Sequence, residues 1–445
     1  MQALALVEHV DRELDLLCLL KTLLKSRHGI ELKIANFYAD APLLLARPAP
    51  RLVLTPFFYA AEDAVLKDYV EGWPNTRFVN LAWEQLFYPS HQQIKAPRDR
   101  FARKQVTHLA WSRAFIAYLE EHGVLPRMTR LVGHGMYRLY GPPYSDYFSV
   151  RGELAAEFGL DAGKPWIFVP ENYRWAFFTD SKLKRLGRRG VEQAELFDMR
   201  DYCRRSMAEL VRWCQALALA GEAEVIFRPR PATSVAELTD FVAETLGGEA
   251  PAFRILKDRS AREWVLASDM VTSSYSTVLI EAALAGKAIV RVAPEPTPAG
   301  LRYDWCDLAP EASDQAGFID ACRRADPASS DALRQWSEAT FFPAGDPVER
   351  LVETIAEEVR AAYAQPEAPV TAAHGMILPA WLGPVAALSS PTVRHELFEK
   401  RVPNYAFNRS THEKDLFAAS EVDRRTRRWR RLVLGRKALQ PARGA

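Results

Sequence analysis

Short apolar runs alternate with longer segments of helical period along most of this chain, and that alternation constrains its fold more than any other feature. In the first 145 residues the pattern is typical of βα units, which build a parallel sheet with helices on its faces. Predicted strands are 31–35, 51–55, 76–81 and 129–133, and predicted helices are 11–26, 60–70 and 101–122.

The pattern restarts after a break at Gly141-Pro142-Pro143-Tyr144. Predicted strands there are 166–169, 224–228, 253–256, 269–272 and 288–292, and predicted helices are 202–220, 235–245 and 277–285. The chain is therefore predicted to contain two α/β domains, 1–145 and 146–346. A closing helix at 347–364, with Asp346 as N-cap and Pro347 in the first turn, is expected to pack across both halves, and 365–445 form a C-terminal extension.

Length and composition support a folded protein of this size. The 445 residues, at about 100–200 per domain, allow two or three domains, and the 48% hydrophobic content excludes a mainly disordered chain. No run reaches about 18 consecutive apolar residues, and no basic segment precedes the first apolar run, so we expect neither a membrane-spanning helix nor a secretion signal. Five cysteines without CxxC spacing predict buried free thiols in a cytoplasmic protein.

Charge is distributed unevenly. Nine of the 58 basic residues and none of the 56 acidic residues lie from Arg424 onward, so the rest of the chain carries a net charge of −7. An acidic body argues against nucleic acid as the main partner. On a helix, Trp429, Leu432 and Val433 share a face among arginines, which predicts an anionic membrane surface as the partner of residues 424–443. A disordered solubilising tail and nucleic-acid binding by this segment are the alternatives.

Two arginines mark the end of a predicted strand in the second half. Arg228 and Arg230 are two residues apart, so on an extended backbone their side chains point the same way, and Pro231 restrains the segment. Guanidinium groups suit phosphate, and the pair is predicted to bind a phosphate group. The alternative is a surface turn with two solvated arginines.

Four hydroxyl side chains cluster where the next predicted helix begins. Ser273, Ser274, Ser276 and Thr277 follow a strand and meet the unpaired N–H groups of the helix start, which favours a phosphate site. Ordinary N-capping needs only one of these hydroxyls. Glu281 lies four residues after Thr277, where it can reach a sugar hydroxyl or remain a solvated acid.

Candidate catalytic groups follow other strands. Glu171 comes directly after the strand 166–169, with Asn172 and Arg174 as candidate substrate-binding residues among aromatic side chains. A carboxylate at that position can act as a general acid or base. The alternative for Glu171 is a carboxylate that caps the end of the strand.

The first half offers a second candidate base in Glu84, which follows the strand 76–81 and is accompanied by Gln85. His134 follows another strand between two glycines and is a candidate for substrate binding. His108 and Trp111 are predicted on the helix 101–122, where a histidine is most often structural.

Three further residues lie at or before the start of the first predicted helix: His9, Arg12 and Glu13. The alternatives for them are contact with substrate and capping of that helix. Gly-rich phosphate loops, HExxH, GxSxG and DxD are absent from the sequence, so we expect no obligatory metal and no cofactor.

Two α/β halves, an Arg-Pro segment and a Ser-rich helix start together resemble a bacterial GT-B glycosyltransferase of surface-polysaccharide assembly, from about Val7 to Ala364. Arg230-Pro231 stands where the CMP-sugar branch, the Kdo-transferase-like and sialyltransferase-like enzymes, has His-Pro. Ser273-Ser274 resembles the Ser-Ser or Ser-Thr phosphate motif of that branch. Arginine in place of histidine leaves this position an electrostatic role, since it cannot exchange a proton near neutral pH.

The resemblance implies two Rossmann-like domains facing a cleft, an acceptor domain first and a nucleotide-sugar domain second. It implies a metal-independent transferase that moves Kdo or a related ulosonic acid from a CMP-linked donor to a glycan or lipid-linked acceptor of lipopolysaccharide or capsule. In this resemblance Glu171 or Glu84 deprotonates the acceptor hydroxyl. The enzyme is expected in the cytoplasm, peripherally attached to the inner face of the cytoplasmic membrane. A CDP-glycerol-type polyol-phosphate transferase and a non-catalytic sugar-nucleotide-binding scaffold are the alternatives.

Overall fold

A computed structural model describes residues 1–86, 95–187, 193–230, 233–364 and 415–435. Contacts divide the chain into two compact units: unit 1 comprises Met1–Leu139 and Ala339–Ala445, and unit 2 comprises Tyr140–Glu338. The sequence predicts domain boundaries at 145 and 346. In the structure, unit 2 begins at Tyr140, before the predicted boundary at 145, and ends at Glu338, before the predicted boundary at 346.

Unit 1 is built on a six-stranded parallel sheet of order β2-β1-β3-β4-β5-β6. Its strands are β1 (Ala3–Val7), β2 (Leu32–Asn36), β3 (Leu52–Thr55), β4 (Arg77–Asn80), β5 (Val106–Ala110) and β6 (Thr129–Leu131). Its helices up to Leu139 are α1 (Val10–His28), α2 (Ala41–Leu45), α3 (Ala64–Gly72), α4 (Arg100–Lys104), α5 (Arg113–Glu121) and α6 (Gly135–Arg138). The sheet order changes direction between β1 and β3.

The single helix predicted at 101–122 is wrong, because the segment folds as α4, β5 and α5. All five residues of β5 are buried, and a strand covered on both faces shows no alternation of polar and apolar residues. Strand β1, which is also fully buried, is likewise absent from the predicted strands. His108 therefore lies on a central strand and Trp111 follows it.

Unit 2 contains a second six-stranded parallel sheet, of order β12-β11-β10-β7-β8-β9. Its strands are β7 (Trp166–Pro170), β8 (Glu224–Arg228), β9 (Arg254–Ile255), β10 (Met270–Ser273), β11 (Ala288–Val292) and β12 (Glu311–Ala312). Its helices are α7 (Arg151–Phe158), α8 (Asp180–Gly187), α9 (Gln193–Leu219), α10 (Val235–Thr245), α11 (Ala261–Ala267), α12 (Val278–Leu284), α13 (Gln315–Arg324) and α14 (Asp331–Phe341). Counted within the unit, the strand order is 3-2-1-4-5-6, that of a Rossmann fold.

Helix α15 (Pro347–Ala364) forms as predicted, and Asp346 caps it by accepting a hydrogen bond from the Val348 N–H at 2.9 Å. The helix belongs to unit 1. Its buried Glu358 pairs with Arg77 on β4 at 2.9 Å and with Arg130 on β6 at 3.2 Å. These ion pairs fix α15 against the sheet of unit 1.

The last described helix, α16 (Ala419–Leu434), packs against α1. Trp429 is fully buried, and Val422, two turns earlier on the same helix, is also buried. The Arg425 guanidinium donates to the Asp15 carboxylate of α1 at 2.8 Å. The basic segment is therefore a folded part of unit 1 between 419 and 434, whereas 365–414 and 436–445 lie outside the described residues.

Among the described residues, no helix is long and apolar enough to cross a membrane. Within the same ranges, no cluster of three or more His, Cys, Asp and Glu side chains is arranged to hold a metal ion. The five cysteines are free and buried, as the sequence predicts.

Candidate functional site

The predicted site residues of unit 2 meet at the carboxyl ends of β7, β8 and β10. Strand β7 lies between β8 and β10 in the sheet, and the connections leave β7 in opposite directions on its two sides. In open α/β sheets, ligands bind at this topological switch point, outside the carboxyl ends of the strands. The sheet order thus identifies the same edge that the motifs identify.

Glu171 organises this edge through its carboxylate. Oε1 accepts the backbone N–H of Arg230 at 3.0 Å, and Oε2 accepts the backbone N–H of Tyr173 at 2.8 Å. The Glu171 N–H in turn donates to the Arg228 carbonyl at 3.0 Å. The side chain is 4% exposed. One carboxylate oxygen therefore holds the segment that carries Arg230, and the other caps the turn at Tyr173, which is the capping alternative considered for this residue.

Arg228 and Arg230 have different surroundings. The Arg228 guanidinium donates to the carbonyl oxygens of Asp258 and Arg259 at 2.9 and 2.8 Å, so it ties β8 to the next loop rather than facing a ligand. Arg230 is only partly buried, and its buried Nε has no hydrogen-bond partner. Of the predicted phosphate-binding pair, Arg228 is therefore structural, whereas Arg230 can bind an anion. Pro231 lies outside the described residues.

The four hydroxyl side chains predicted to bind phosphate differ in their hydrogen bonds, and two of them are used within the protein. Ser273 Oγ donates to the Pro170 carbonyl at 2.7 Å and joins the ends of β10 and β7, while Ser276 Oγ accepts the Val278 N–H at 3.4 Å. Ser274 Oγ is buried without a hydrogen-bond partner, and Thr277 is the N-cap residue of α12 but makes no side-chain cap. An unpaired buried hydroxyl costs about 1–3 kcal/mol, which a ligand oxygen would recover.

Arg174, Lys182 and Arg230 form a cationic cluster, in which Arg174 and Lys182 contact the Phe178 ring and Arg230 acts on Arg174 through its charge. The Lys182 ammonium lies 3.6 Å from the centre of the Phe178 ring, and the Arg174 guanidinium lies 5.3 Å from it. Burial and the Arg230 charge lower the pKa of Arg174, and burial and the Arg174 charge lower the pKa of Lys182. Within the described part of the chain, none of the three has a carboxylate at ion-pair distance. A bound anion would relieve their mutual repulsion.

Aromatic and thiol groups form the buried floor beneath these residues. The rings of Tyr173 and Tyr275 meet edge to face at 6.2 Å, and the Tyr275 hydroxyl lies 3.7 Å from Cys203 Sγ of α9. Burial raises the pKa of Cys203 to about 12, so its thiol stays neutral. The Tyr173 and Ser274 hydroxyls approach each other without forming a hydrogen bond of ordinary geometry. The floor therefore consists of buried aromatic rings with buried hydroxyl and thiol groups.

Glu281 is neither a solvated acid nor an exposed ligand. It accepts a hydrogen bond from the Tyr140 hydroxyl, and Arg262 lies 5.2 Å above the Tyr140 ring. Burial raises the pKa of Glu281, although the Tyr140 hydrogen bond and Arg262 oppose the rise. Asn172, next to Glu171, is partly exposed at the mouth of the site.

In unit 1, Glu84 follows β4 and is held by two cations. Arg12 Nη1 lies 3.2 Å from Glu84 Oε1, and Lys95 binds Oε2. Burial opposes ionisation, but the Lys95 and Arg12 charges outweigh it and lower the pKa of Glu84 to about 2. A carboxylate with so low a pKa is a weak base at neutral pH.

Three other sequence candidates in unit 1 have structural roles. Gln85 uses both ends of its amide, because it donates to the carbonyls of Ala82 and Leu109 and accepts the Trp111 N–H at 2.8 Å. His134 is 2% exposed, and its ring stacks on Trp111 and on Tyr137, each at 3.6 Å between centroids.

His108 is fully buried, and its ring bonds Asn80 Nδ2 and the Ala102 carbonyl. Burial lowers the pKa of His108 to about 4, so the ring is neutral. Gln85 and His134, predicted to contact substrate, thus have their side chains in internal hydrogen bonds and ring stacking.

Sequence reasoning missed Lys182 and Tyr173, which stand beside the predicted residues. Lys182 lies on α8, a short helix of low apolar content that no period indicated. Tyr173 lies in the segment already selected around Glu171. Lys182 lies eight residues after Arg174, on a separate helix, and the fold brings both side chains to the Phe178 ring.

The sequence matches no protein-family model and no curated protein. Solved structures are similar to it in fold. The S. aureus MnaA–UDP co-structure is 11% identical, with a TM-score of 0.50 over 82% of this chain and 98% of that one. A Methanocaldococcus jannaschii UDP-GlcNAc 2-epimerase in complex with UDP-GlcNAc and UDP is 10% identical, with a TM-score of 0.50 over 80% and 100% of the two chains. The fold is thus α/β with two Rossmann-like units, of the GT-B type.

Proposed function

We propose that this protein is a metal-independent glycosyltransferase that takes its sugar from a nucleotide-activated donor bound by unit 2. The observation that carries the proposal is the set of unpaired polar groups at the switch point of unit 2. Arg230, Arg174 and Lys182 supply positive charge without carboxylate partners, and Ser274 supplies an unpaired hydroxyl. A diphosphate or an acidic sugar phosphate offers the anionic oxygens that such groups bind.

The similar solved structures support a nucleotide as the ligand. Both were determined with UDP, and one also holds UDP-GlcNAc. Within this proposal, Arg230 and the Ser274–Thr277 turn stabilise the charge that develops on the leaving phosphate. Glu171 holds Arg230 in place through the backbone, and Asn172 and Arg174 contact the sugar.

The sugar donor we propose is CMP-linked, with Kdo or a related ulosonic acid as the sugar. Such a donor carries its phosphate and a carboxylate on the same carbon, the anomeric carbon of the sugar. Arg230 would bind the phosphate, while Arg174 and Lys182, which both contact the Phe178 ring, would bind the carboxylate. The acceptor would be a glycan or glycolipid bound by unit 1.

The outer face of α16 suits attachment to the cytoplasmic face of an anionic membrane. Arg424, Arg427, Arg428, Arg430 and Arg431 are exposed on this helix, and each charge close to an anionic surface contributes about 1 kcal/mol. Trp429 takes no part, because it is buried against α1. Sedimentation with phosphatidylglycerol vesicles tests this attachment, and an Arg427→Glu/Arg431→Glu variant that sediments like wild type would contradict it.

The donor nucleotide is tested by thermal stabilisation of the full chain with CMP, CDP, UDP and GDP at equal concentration. A ligand at 100 times its Kd adds about 2.7 kcal/mol, which raises Tm by several degrees. We expect the largest rise with CMP. A larger rise with CDP favours a polyol-phosphate transferase, and a rise with UDP or GDP keeps the nucleotide site but excludes CMP. No rise with any nucleotide contradicts the proposed function.

A further inference from the structure

Basic side chains continue from the anion-binding edge of unit 2 onto helix α8. Arg230 acts on Arg174 through its charge, and Arg174 and Arg185 both act on Lys182. The Lys182 ammonium and the Arg174 guanidinium lie 3.6 and 5.3 Å from the centre of the Phe178 ring. We call these cations, together with the next basic residue of α8, the basic row: Arg230, Arg174, Lys182, Lys184 and Arg185.

The packing of α8 directs its basic side chains outward. Leu183 is fully buried in one apolar cluster with Phe178 and Leu196, which anchors the helix to unit 2. Because one buried position fixes which side of a helix faces the core, the side chains that follow it, Lys184 and Arg185, are exposed. Lys182, three residues before Arg185 on the same face, is partly exposed. The helix thus presents its three basic residues on the outside of unit 2.

The charges of the basic row are not neutralised by the protein in the ranges that the structure describes. There, no carboxylate lies at ion-pair distance from any of the five side chains. Asp180, the acidic residue of α8, pairs with Arg200 instead. Glu237 caps α10, where its Oε2 accepts the Ser234 N–H at 2.9 Å and the Ser234 hydroxyl at 2.8 Å. Like charges held side by side repel, which favours a partner that brings several negative charges.

The proposed sugar donor accounts for only part of the basic row. Its phosphate and carboxylate use Arg230, Arg174 and Lys182, and no group of the donor is assigned to Lys184 or Arg185. These two side chains are exposed, and each lies within one turn of Lys182 on α8. The row therefore offers positive charge to a ligand longer than the donor.

The surroundings of the row favour a carbohydrate as the carrier of the negative charges. The partly exposed Trp175 ring lies 5.0 Å from the Phe178 ring, and such rings pack against the apolar face of a sugar. Nucleic acid is disfavoured because the chain before residue 424 carries a net charge of −7. A bilayer is disfavoured because a helix that lies on lipid turns its apolar residues outward, whereas Leu183 is buried in the protein.

We propose that the basic row binds an anionic glycan, a polysaccharide that carries a negative group in each repeat. The inference goes beyond the proposed transfer of a sugar and does not depend on it, because it concerns Lys184 and Arg185, which the donor site does not include. Exposed charges bind through electrostatic attraction that salt screens. Binding should therefore weaken as the ionic strength rises.

The experiment measures binding of fluorescein-labelled decagalacturonate to the full chain by fluorescence anisotropy at low salt, with maltodecaose as the neutral oligosaccharide. Lys184→Gln/Arg185→Gln removes two exposed charges of the row, so we expect its Kd for decagalacturonate to rise about tenfold. Arg323→Gln/Arg324→Gln is the matched control, because it removes two exposed arginines of α13 that pair with Glu222 and Asp320. It should bind like wild type, and maltodecaose should not bind.

A second double variant locates the binding surface. Arg427→Gln/Arg431→Gln removes two exposed charges from α16, the other basic surface described, and should keep the wild-type Kd. No binding by wild type, equal affinity for maltodecaose, or a Kd that changes less than twofold in Lys184→Gln/Arg185→Gln overturns the inference. A larger loss in the α16 variant overturns it as well.

Two further measurements separate this inference from its competitors. Tighter binding of a single-stranded oligothymidylate of equal charge than of decagalacturonate assigns the row to nucleic acid and overturns the proposal. Thermal stabilisation by nucleotides should be the same in wild type and in Lys184→Gln/Arg185→Gln, since neither residue belongs to the donor site. A parallel loss of nucleotide and glycan binding in this variant overturns a separate glycan surface. Failure of every nucleotide to stabilise wild type contradicts the proposed function and leaves glycan binding standing.

Discussion

Replacement of Arg230 by Gln should weaken nucleotide binding at least tenfold and lower turnover by about 100- to 1,000-fold. The binding loss follows from a charged hydrogen bond, worth about 1.5–3 kcal/mol, and the larger turnover loss follows because the phosphate gains charge as it leaves. Arg230 is the cation at the switch point whose Nε is buried without a partner. Its backbone N–H, which Glu171 holds, is unchanged in the variant. The measurements are nucleotide titration by calorimetry and nucleotide release.

Two companion variants make the Arg230 result specific. Arg324→Gln removes an exposed arginine that pairs with Asp320 on α13 and should behave like wild type. Arg230→Lys keeps the charge but loses the planar fork, so it should fall between wild type and Arg230→Gln. Nucleotide affinity that is equal in wild type and Arg230→Gln would remove Arg230 from the site.

Replacement of Trp429 by Ala should lower the free energy of unfolding of unit 1 by about 3–5 kcal/mol. The side chain is fully buried between α16 and α1, and truncating a buried tryptophan leaves a cavity in addition to the lost transfer free energy. Urea denaturation followed by far-UV circular dichroism measures the change. Arg431→Ala, exposed two residues later, should stay within about 0.5 kcal/mol of wild type.

The Trp429 result also decides how the C-terminal segment is regarded. A loss below about 1 kcal/mol would contradict docking of α16 on α1. A large loss means that truncation after Ala364 removes part of unit 1. For that reason the nucleotide and turnover measurements need the full chain.

The fold class was predictable from the sequence because strand and helix periods alternate in order. Strands β1, β5 and β12 are missing from the prediction: β1 and β5 are fully buried and adjoin helices in the sequence, so their apolar residues run on into a helical pattern, and β12 has only two residues. Each missed strand lacked the periodic signal on which the prediction depends. Strand β8 and helices α10 and α15 match their predicted bounds, since Pro, Ser-capping and Gly residues mark their ends.

The site was predictable as an edge of the sheet but not residue by residue. The sequence spacing predicted that Arg228, Arg230 and the Ser273–Thr277 turn lie at the same edge of the sheet. It did not show that Arg228 and Ser273 donate hydrogen bonds to backbone carbonyls. Contacts between distant segments leave no local pattern. Lys182 beside Arg174 is one such contact, and Asp415 beside His9, 406 residues apart, is another.

Trp429 is a further example in which the sequence pattern did not identify the contact that a side chain makes. Its spacing with Leu432 and Val433 describes an apolar face equally well for a membrane and for a neighbouring helix, and only the tertiary contact with α1 distinguishes the two. Burial in the protein satisfies that face, and the arginines remain outside.

A crystal structure of the full chain with bound CMP tests the central claim most directly, because it locates the phosphate. The account predicts the phosphate at the carboxyl ends of β7 and β10, within hydrogen-bond distance of the Arg230 guanidinium and Ser274 Oγ. A phosphate bound away from this edge, with Arg230 and Ser274 still unpaired, would contradict it.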